Sequence, residues 1–331
     1  MMQIKDIKQL HDFASSYWYV CVLHSGIKMQ VFTHLGSQSL PAEQLAQRLK
    51  ADARATGLFL DALSAMGLVI KVGETYGNAP ISLKYLDENS PDFMGNIIYH
   101  HHYMYHDWGR LDEAVRSGRP PEPARERTEE GTRRFLLGMR DLAMRGAEVL
   151  TAQLDLSECR SFLDLGGGPG TYCLHFCRKH PQLQGVIFDL PGSETIAGEQ
   201  IRSFGLEQRV RFEAGNFLQD PLPSGPFDVA FLSQILHSCS FDEGADLIKK
   251  IYPIVKPGGK VIIQEFILNE SKTAPPFAAV FALNMLIHTP AGRSYSLQEI
   301  QGWVKDAGFV DGQHLVYDLP NDASLVVARK P

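Results

Sequence analysis

The chain has 331 residues, 44% of them hydrophobic and 21% charged, with a formal net charge of −6. That length suggests about two domains with ample core, and the acidic balance excludes a general nucleic-acid binder or an anionic-membrane binder. No apolar run approaches the roughly 18 residues of a membrane-spanning helix, the stretch Met1-Met2-Gln3-Ile4-Lys5-Asp6 lacks the apolar core of a signal peptide, and the five cysteines (21, 159, 173, 177, 239) show no framework spacing, as expected of reduced thiols in a cytoplasm.

Residues 7–35 read as one or two apolar helices, with Phe13, Tyr17, Val20, Leu23 and Val31 near helical spacing. So few charges suit either a buried domain core or a face packed on a second subunit. Ser39-Leu40-Pro41-Ala42-Glu43 looks like a helix start, followed by helix 42–49, a turn at 50–52, and a second helix over 53–66 that stops at Gly67. The runs 68–72 and 75–77 flank Gly73-Glu74 as a small hairpin, which completes a winged-helix pattern. A DNA reader needs several basic residues on its recognition helix. Helix 53–66 offers Arg54 against Asp61, so a structural or dimerisation module is the better reading.

Residues 91–117 read as helix, dense in Tyr99, His100, His101, His102, Tyr103, Tyr105, His106, Asp107 and Trp108. His102 and His106 have the i, i+4 spacing of zinc ligands, but no third ligand stands nearby, and no metal is expected. A pocket wall facing an aromatic substrate and plain packing are the other two readings. Residues 118–131 are an exposed connection, and a helix near 132–150 leads onward. The domains are therefore drawn at 1–118, at 119–154 for linker and connecting helices, and at 155–331.

From there strand and helix alternate: 160–165, 171–180, 185–189, 193–204, 208–213, 227–232, 241–254 and 259–265. Such alternation implies a parallel, doubly wound sheet, and runs near 313–318 and 323–329 close it as an antiparallel hairpin around Asn321-Asp322. The first strand-to-helix turn is Asp164-Leu165-Gly166-Gly167-Gly168-Pro169-Gly170-Thr171. Dinucleotide binders want G-x-G-x-x-G there, yet the third position is Thr171 and the motif opens on an acid. That carboxylate would repel a pyrophosphate. It suits a cationic amino-acid ligand, such as the ammonium of S-adenosylmethionine (SAM). Asp189, ending the next strand, can accept both hydroxyls of a ribose. Cys173 and Cys177, on one face of the following helix, read as buried small hydrophobes.

At this point the chain resembles, along its whole length, the SAM-dependent small-molecule O-methyltransferases of the caffeate and acetylserotonin type and their bacterial relatives. The segment 163–170 is similar to their cofactor loop, Phe188-Asp189-Leu190-Pro191 to their ribose motif, and Gly215-Asn216-Phe217 to a Gly-Asp-Phe-like motif beside the adenine. Ser233-Gln234-Ile235-Leu236-His237 resembles the motif that ends on a catalytic histidine, and Glu265 matches a glutamate that orients it. Ser238 and Ser294 stand where relatives carry acids. Ala282–His288 resembles the acetylserotonin-type substrate segment, and Phe135 and Met139 match positions lining the pocket.

The resemblance implies a class I methyltransferase sheet behind an N-terminal, mostly helical dimerisation domain, and a homodimer. It implies SAM as cofactor, S-adenosylhomocysteine (SAH) as product, and a small aromatic acceptor. The cofactor residues would be Asp164, Gly166, Gly168, Gly170, Asp189, Leu190, Gly215, Asn216, Phe217, Ser233 and Gln234. His237 and Glu265 would be catalytic, with Phe135, Met139, Asn284, Met285 and His288 on the acceptor. A phenol titrates near 10 and an ordinary histidine near 6.5, so a histidine takes the proton as the C–O bond forms rather than beforehand. With fewer acids about, C- or N-methylation of a tetrapyrrole or another flat acceptor is an alternative. A non-catalytic, SAM-sensing winged-helix regulator is a third.

Overall fold

A computed structural model describes residues 4–122 and 128–331, so part of the expected connection at 118–131 lies outside the described residues. The chain divides into two compact units between Tyr105 and His106, upstream of the boundary expected at 118.

The first unit opens with three helices where one or two were expected: α1 (Ile7–Ser15), α2 (Tyr17–Lys28) and α3 (Val31–Leu35). Asp6 caps α1, its side chain accepting from the Gln9 amide, as N-cap carboxylates do. The helix start expected in Ser39–Glu43 is there, with Pro41 as the N-cap of the next helix, and Ser39–Pro41 leads into it as strand β1; β1 pairs with β3 (Thr75–Asn78), which pairs in turn with β2 (Val69–Val72). Helices α4 (Ala42–Leu49) and α5 (Ala53–Ala65) precede the hairpin, and α6 (Pro80–Tyr85) follows it. Val31, Phe32, Leu35, Leu45, Leu60 and Leu63 form its core, all essentially inaccessible. The expected single helix over 91–117 is two, α7 (Gly95–Trp108) and α8 (Leu111–Ser117). The break is at Gly109-Arg110, where glycine weakens a helix and Arg110 leaves helical dihedrals.

The second unit carries α9 (Glu129–Gln153), then β4 (Ser161–Leu165), α10 (Thr171–Lys179), β5 (Gln184–Asp189), α11 (Glu194–Ser203), β6 (Val210–Ala214), β7 (Phe227–Ser233), α12 (Phe241–Ile251) and β8 (Val255–Glu265). It ends with α13 (Pro276–His288), α14 (Leu297–Asp306), β9 (Val310–Leu315) and β10 (Ser324–Arg329). The seven strands run in the order β6-β5-β4-β7-β8-β10-β9, with β10 antiparallel to both its neighbours. This is the expected doubly wound, mostly parallel sheet with its closing antiparallel hairpin. Strand side chains alternate between faces. Leu163 and Leu165 enter one core with α12 and α14, whereas Phe162 enters the other with α9 and α10. Asn321 and Asp322, in the turn before β10, hold left-handed backbone, which these short polar side chains tolerate. No helix among the described residues is long and apolar enough to cross a membrane.

Candidate active site

The carboxyl ends of β4 to β8 lie side by side, the usual ligand position in such sheets. After β4 the backbone turns through Gly166, Gly168 and Gly170, all at positive φ (66°, 51° and 77°), a region costly for any residue with a Cβ. A side chain at Gly166 or Gly170 would also overlap Ile235 or Ile187, so those two glycines are fixed by packing as well as by backbone. At Gly168 the nearest atoms to a Cβ would be Asp189 Oδ2 at 3.8 Å and Leu136 Cδ2 at 3.9 Å, which leaves the backbone open to close approach. Leu136 thus brings α9 over the loop, and Phe135 and Met139 sit on that helix at i, i+4, both half-buried.

Asp164 is only 1% exposed. Its Oδ2 accepts from the Cys173 amide of α10, 3.1 Å away. One carboxylate oxygen is thus tied to α10 beside the glycine loop, and the other, Oδ1, carries no hydrogen bond among the described residues. Burial pushes its pKa up to about 7, the Cys173 amide pulls it back, and the charge of Asp189 adds to the rise. Asp189 accepts from the Gly168 amide at 2.6 Å, the Leu190 amide at 2.6 Å and Ser193 Oγ at 3.1 Å. Burial still raises its pKa. Two carboxylates that resist ionisation beside a glycine loop suit a cationic ligand, which would relieve both. Two polar atoms flanking the loop, Thr171 Oγ1 and Gln234 Oε1, are buried without a hydrogen-bond partner. This donor and acceptor set fits SAM, and Thr171 joins the candidates that sequence reasoning had passed over.

Leu190, just past the end of β5, is 53% exposed. Gly215 packs on Phe188, whose ring a Cβ would overlap. Asn216 Oδ1 accepts from the Leu218 amide at 3.0 Å, so its acceptor half is committed to its own turn and its amide N–H groups remain to meet a ligand. Phe217 is partly buried against the core. Ser233 Oγ donates to Gln264 Oε1 at 3.3 Å, and Gln234 takes positive φ (58°) with its amide donating to the Gln264 carbonyl.

His237 follows in a short 3₁₀ turn. Its Nδ1 lies 2.9 Å from Glu265 Oε2, and its backbone amide donates to Glu265 Oε1 at 3.3 Å. Glu265 therefore receives both N–H groups, which fixes the proton on Nδ1 and leaves Nε2 as the free lone pair. The imidazole packs edge-on to Phe281 at 4.9 Å and parallel to Phe266 at 6.3 Å, so aromatic rings hold its plane. Phe266 and Phe281 were not singled out from sequence, although Phe277 and Phe281 stand at i, i+4 on α13. Ser294 Oγ donates to the Ala278 carbonyl at 2.7 Å and Ser238 Oγ to the Ile235 carbonyl at 2.7 Å. Both serines serve the backbone. Further along α13, Asn284 Oδ1 accepts from Trp108 Nε1 at 3.1 Å, Met285 is buried, and His288 Nδ1 lies 2.9 Å from the Asn284 carbonyl.

A family signature described as the O-methyltransferase domain matches residues 108–310, and one described as the O-methyltransferase dimerisation domain matches residues 11–88. The chain is 33% identical over 328 residues to 3-hydroxy-5-methyl-1-naphthoate 3-O-methyltransferase of Streptomyces sahachiroi, covering 97% of this chain and 94% of that one. It is 33% identical over 317 residues to the tetracenomycin polyketide synthesis 8-O-methyl transferase of Streptomyces glaucescens, covering 93% and 92%. Among solved structures, human N-acetylserotonin methyltransferase in complex with SAM aligns over 100% of this chain and 99% of that one, with TM-score 0.86 and 26% identity.

Proposed function

The chain belongs to the SAM-dependent O-methyltransferase family, and from that premise we propose that it methylates a hydroxyl of a small aromatic molecule with His237 as general base. The observation that carries the reading is the carboxylate–imidazole pair, 2.9 Å from Nδ1 to Oε2, with Nε2 left to accept.

SAM supplies, when bound, a methyl group on a sulfonium whose departure leaves a neutral thioether. The chain's own work is to bind, align and take one proton. Asp189 would accept from the ribose hydroxyls, and the open backbone at Gly166, Gly168 and Gly170 would cradle the amino-acid end, with Asp164 tying the loop to α10 through Oδ2 and turning its other oxygen to the ammonium. Leu190, Gly215, Asn216 and Phe217 border the adenine, and Ser233 and Gln234 complete the wall. The acceptor hydroxyl donates to His237 Nε2, so its oxygen gains electron density as the C–O bond forms and the proton passes to the ring. Glu265 then faces an imidazolium and stabilises it. General-base help of this kind contributes roughly 10²–10⁴-fold, and alignment a further large share. Phe135, Met139 and Met285 clamp the flat ring, thioethers packing well on aromatic faces.

The first unit carries the matched dimerisation domain, and we assign it the contact with a second copy. Helix α1 buries no residue within the chain, while Ile7, Trp18 and Tyr19 are 67%, 60% and 61% exposed. Apolar exposure on that scale marks an association surface.

Calorimetric titration with SAM and with SAH tests the cofactor part. Micromolar binding of both, weakened at least about 30-fold by Asp189→Ala through loss of a charged acceptor, is expected. No binding of either ligand would overturn the reading. His237→Ala should bind SAH normally and lose about 10²-fold or more in turnover; an unimpaired variant would mean the nucleophile arrives already activated.

A further inference from the structure

On α13, Phe281, Asn284, Met285 and His288 fall at i, i+3, i+4 and i+7, which is one face of a helix. Phe281 touches the His237 ring, so the stripe runs from the proposed base to His288. Seven residues at a helical rise of 1.5 Å separate its ends by about 10 Å.

At the far end stands a pair that the site above does not use. Asp107 Oδ2 is 3.6 Å from His288 Nε2, too long for a hydrogen bond, with side-chain exposures of 15% for the aspartate and 24% for the histidine. The other nitrogen, Nδ1, is 2.9 Å from the Asn284 carbonyl. A carbonyl only accepts, so Nδ1 carries the proton of the neutral ring and Nε2 presents a lone pair. That lone pair faces a carboxylate, which also only accepts. Among the described residues the Asp107 carboxylate receives no hydrogen bond. The nearby cation, Arg110, is committed to the Glu113 carboxylate and the Glu122 carbonyl. The next residue, Trp108, donates to Asn284, which fixes the chain beside the pair. Two acceptors, mostly buried and facing each other without a donor, define a place for one.

We propose that Asp107 and His288 Nε2 together select the acceptor by receiving a hydrogen-bond donor, a hydroxyl or an amine, at the end of the molecule distant from the methylated hydroxyl. The inference rests on the acceptor site assigned above and names its substrate class: a fused or extended aromatic, at least bicyclic, with a distal donor. A distal carboxylate is disfavoured, because it would face Asp107 with like charge.

The test is calorimetric binding to the protein–SAH complex of three bicyclic probes. One is a dihydroxynaphthalene with its hydroxyls at opposite ends, one the naphthol lacking the distal hydroxyl, and one the hydroxynaphthoate carrying a carboxylate there. The diol should bind about tenfold more tightly than the naphthol, as one charge-assisted hydrogen bond allows, and the naphthoate most weakly. Asp107→Asn should shrink the gap between diol and naphthol and improve the naphthoate; His288→Gln should shrink the gap without helping the naphthoate. A naphthoate that binds best to the unaltered protein, a ranking unchanged by Asp107→Asn, or no binding of any probe would overturn the proposal. Methyl transfer to the diol, followed in the same samples, separates this inference from the reaction assigned above. No transfer with the ranking intact sinks the reaction alone, and transfer without the ranking sinks the role of the pair alone.

Discussion

Glu265→Gln is the sharpest perturbation of the proposed chemistry, because it changes one atom and keeps the shape. The carboxylate receives two donors from one residue, the His237 Nδ1–H at 2.9 Å and the His237 amide at 3.3 Å. A glutamine offers one acceptor oxygen and one NH₂ group. With its oxygen toward the amide, the NH₂ meets Nδ1 and drives the ring proton to Nε2, so the base loses its lone pair. With its oxygen toward Nδ1, the tautomer survives but the NH₂ opposes a backbone donor, and no negative charge remains to stabilise the imidazolium. A hydrogen bond to a charged group contributes about 1.5–3 kcal/mol, and each 1.4 kcal/mol is tenfold in rate. The expected loss in kcat is therefore about 10–100-fold, with the affinity for SAH unchanged. The assay is steady-state methyl transfer to a set of phenols of graded acidity, alongside calorimetry of SAH. The loss should be largest for the least acidic phenol and fade as the hydroxyl ionises unaided. A uniform loss across the series, or a kcat within threefold of the unaltered enzyme for a plain phenol, would refute the assignment of His237 as base and Glu265 as its orienting group.

Other outcomes follow from the same structure. His175 has a buried Nε2 without a partner, and burial, reinforced by Arg178, lowers its pKa to about 4. The unfolded chain binds the proton near 6.5 and the folded chain does not, so stability is complete above that pH and is lost as pH falls from about 6.5 toward 4, by about 1–3 kcal/mol. Denaturant unfolding should show a shallower pH slope in His175→Gln. Gly170→Ala places a Cβ at φ +77° against Ile187 and should cost about 2–4 kcal/mol, whereas Gly67→Ala, at φ +74° with nothing within 4 Å, should cost about 1 kcal/mol; equal melting shifts would contradict the packing argument. Sedimentation equilibrium should find a dimer that Trp18→Glu combined with Tyr19→Glu weakens at least about tenfold, and a monomer at micromolar concentration in the unaltered protein would refute the assigned association face.

The parallel sheet was legible because most of its strands carry an apolar run, as Val186–Phe188 in β5 and Val261–Ile263 in β8, with a periodic helix after them. The strand ends were legible for the same reason: Asp189 closes the run Val186–Phe188, and Gln264-Glu265 close Val261–Ile263. Helices α13 and α14 escaped the chain-order reading. α13 is apolar nearly all round, so it has little helical contrast, and its Asn284 and His288 attracted attention through resemblance instead. The split between α7 and α8 was missed because the aromatic run masks a one-glycine break. Side-chain direction was the least accessible property. Sequence puts Asp164 at the end of β4, and the alternation of that strand, with Phe162 and Asp164 on one face and Leu163 and Leu165 on the other, brings one of its carboxylate oxygens to the Cys173 amide of α10. The pairing of His288 with Asp107 joins residues far apart in the chain, and no local pattern carries that.

The order of the strands also sets the last-synthesised strand of the sheet beside the one that ends on Glu265. The strand beside β8 is β10, whose Ser324 lies opposite Glu265 and whose Leu325 lies opposite Gln264. The carboxylate assigned to orient the base thus takes its final position against a strand that leaves the ribosome after every other element of the sheet. A chain lacking β10 would leave β8 with an open edge where Ser324–Arg329 pairs. The proposed orientation of His237 by Glu265 thus depends on a contact made by the last strand of the sheet.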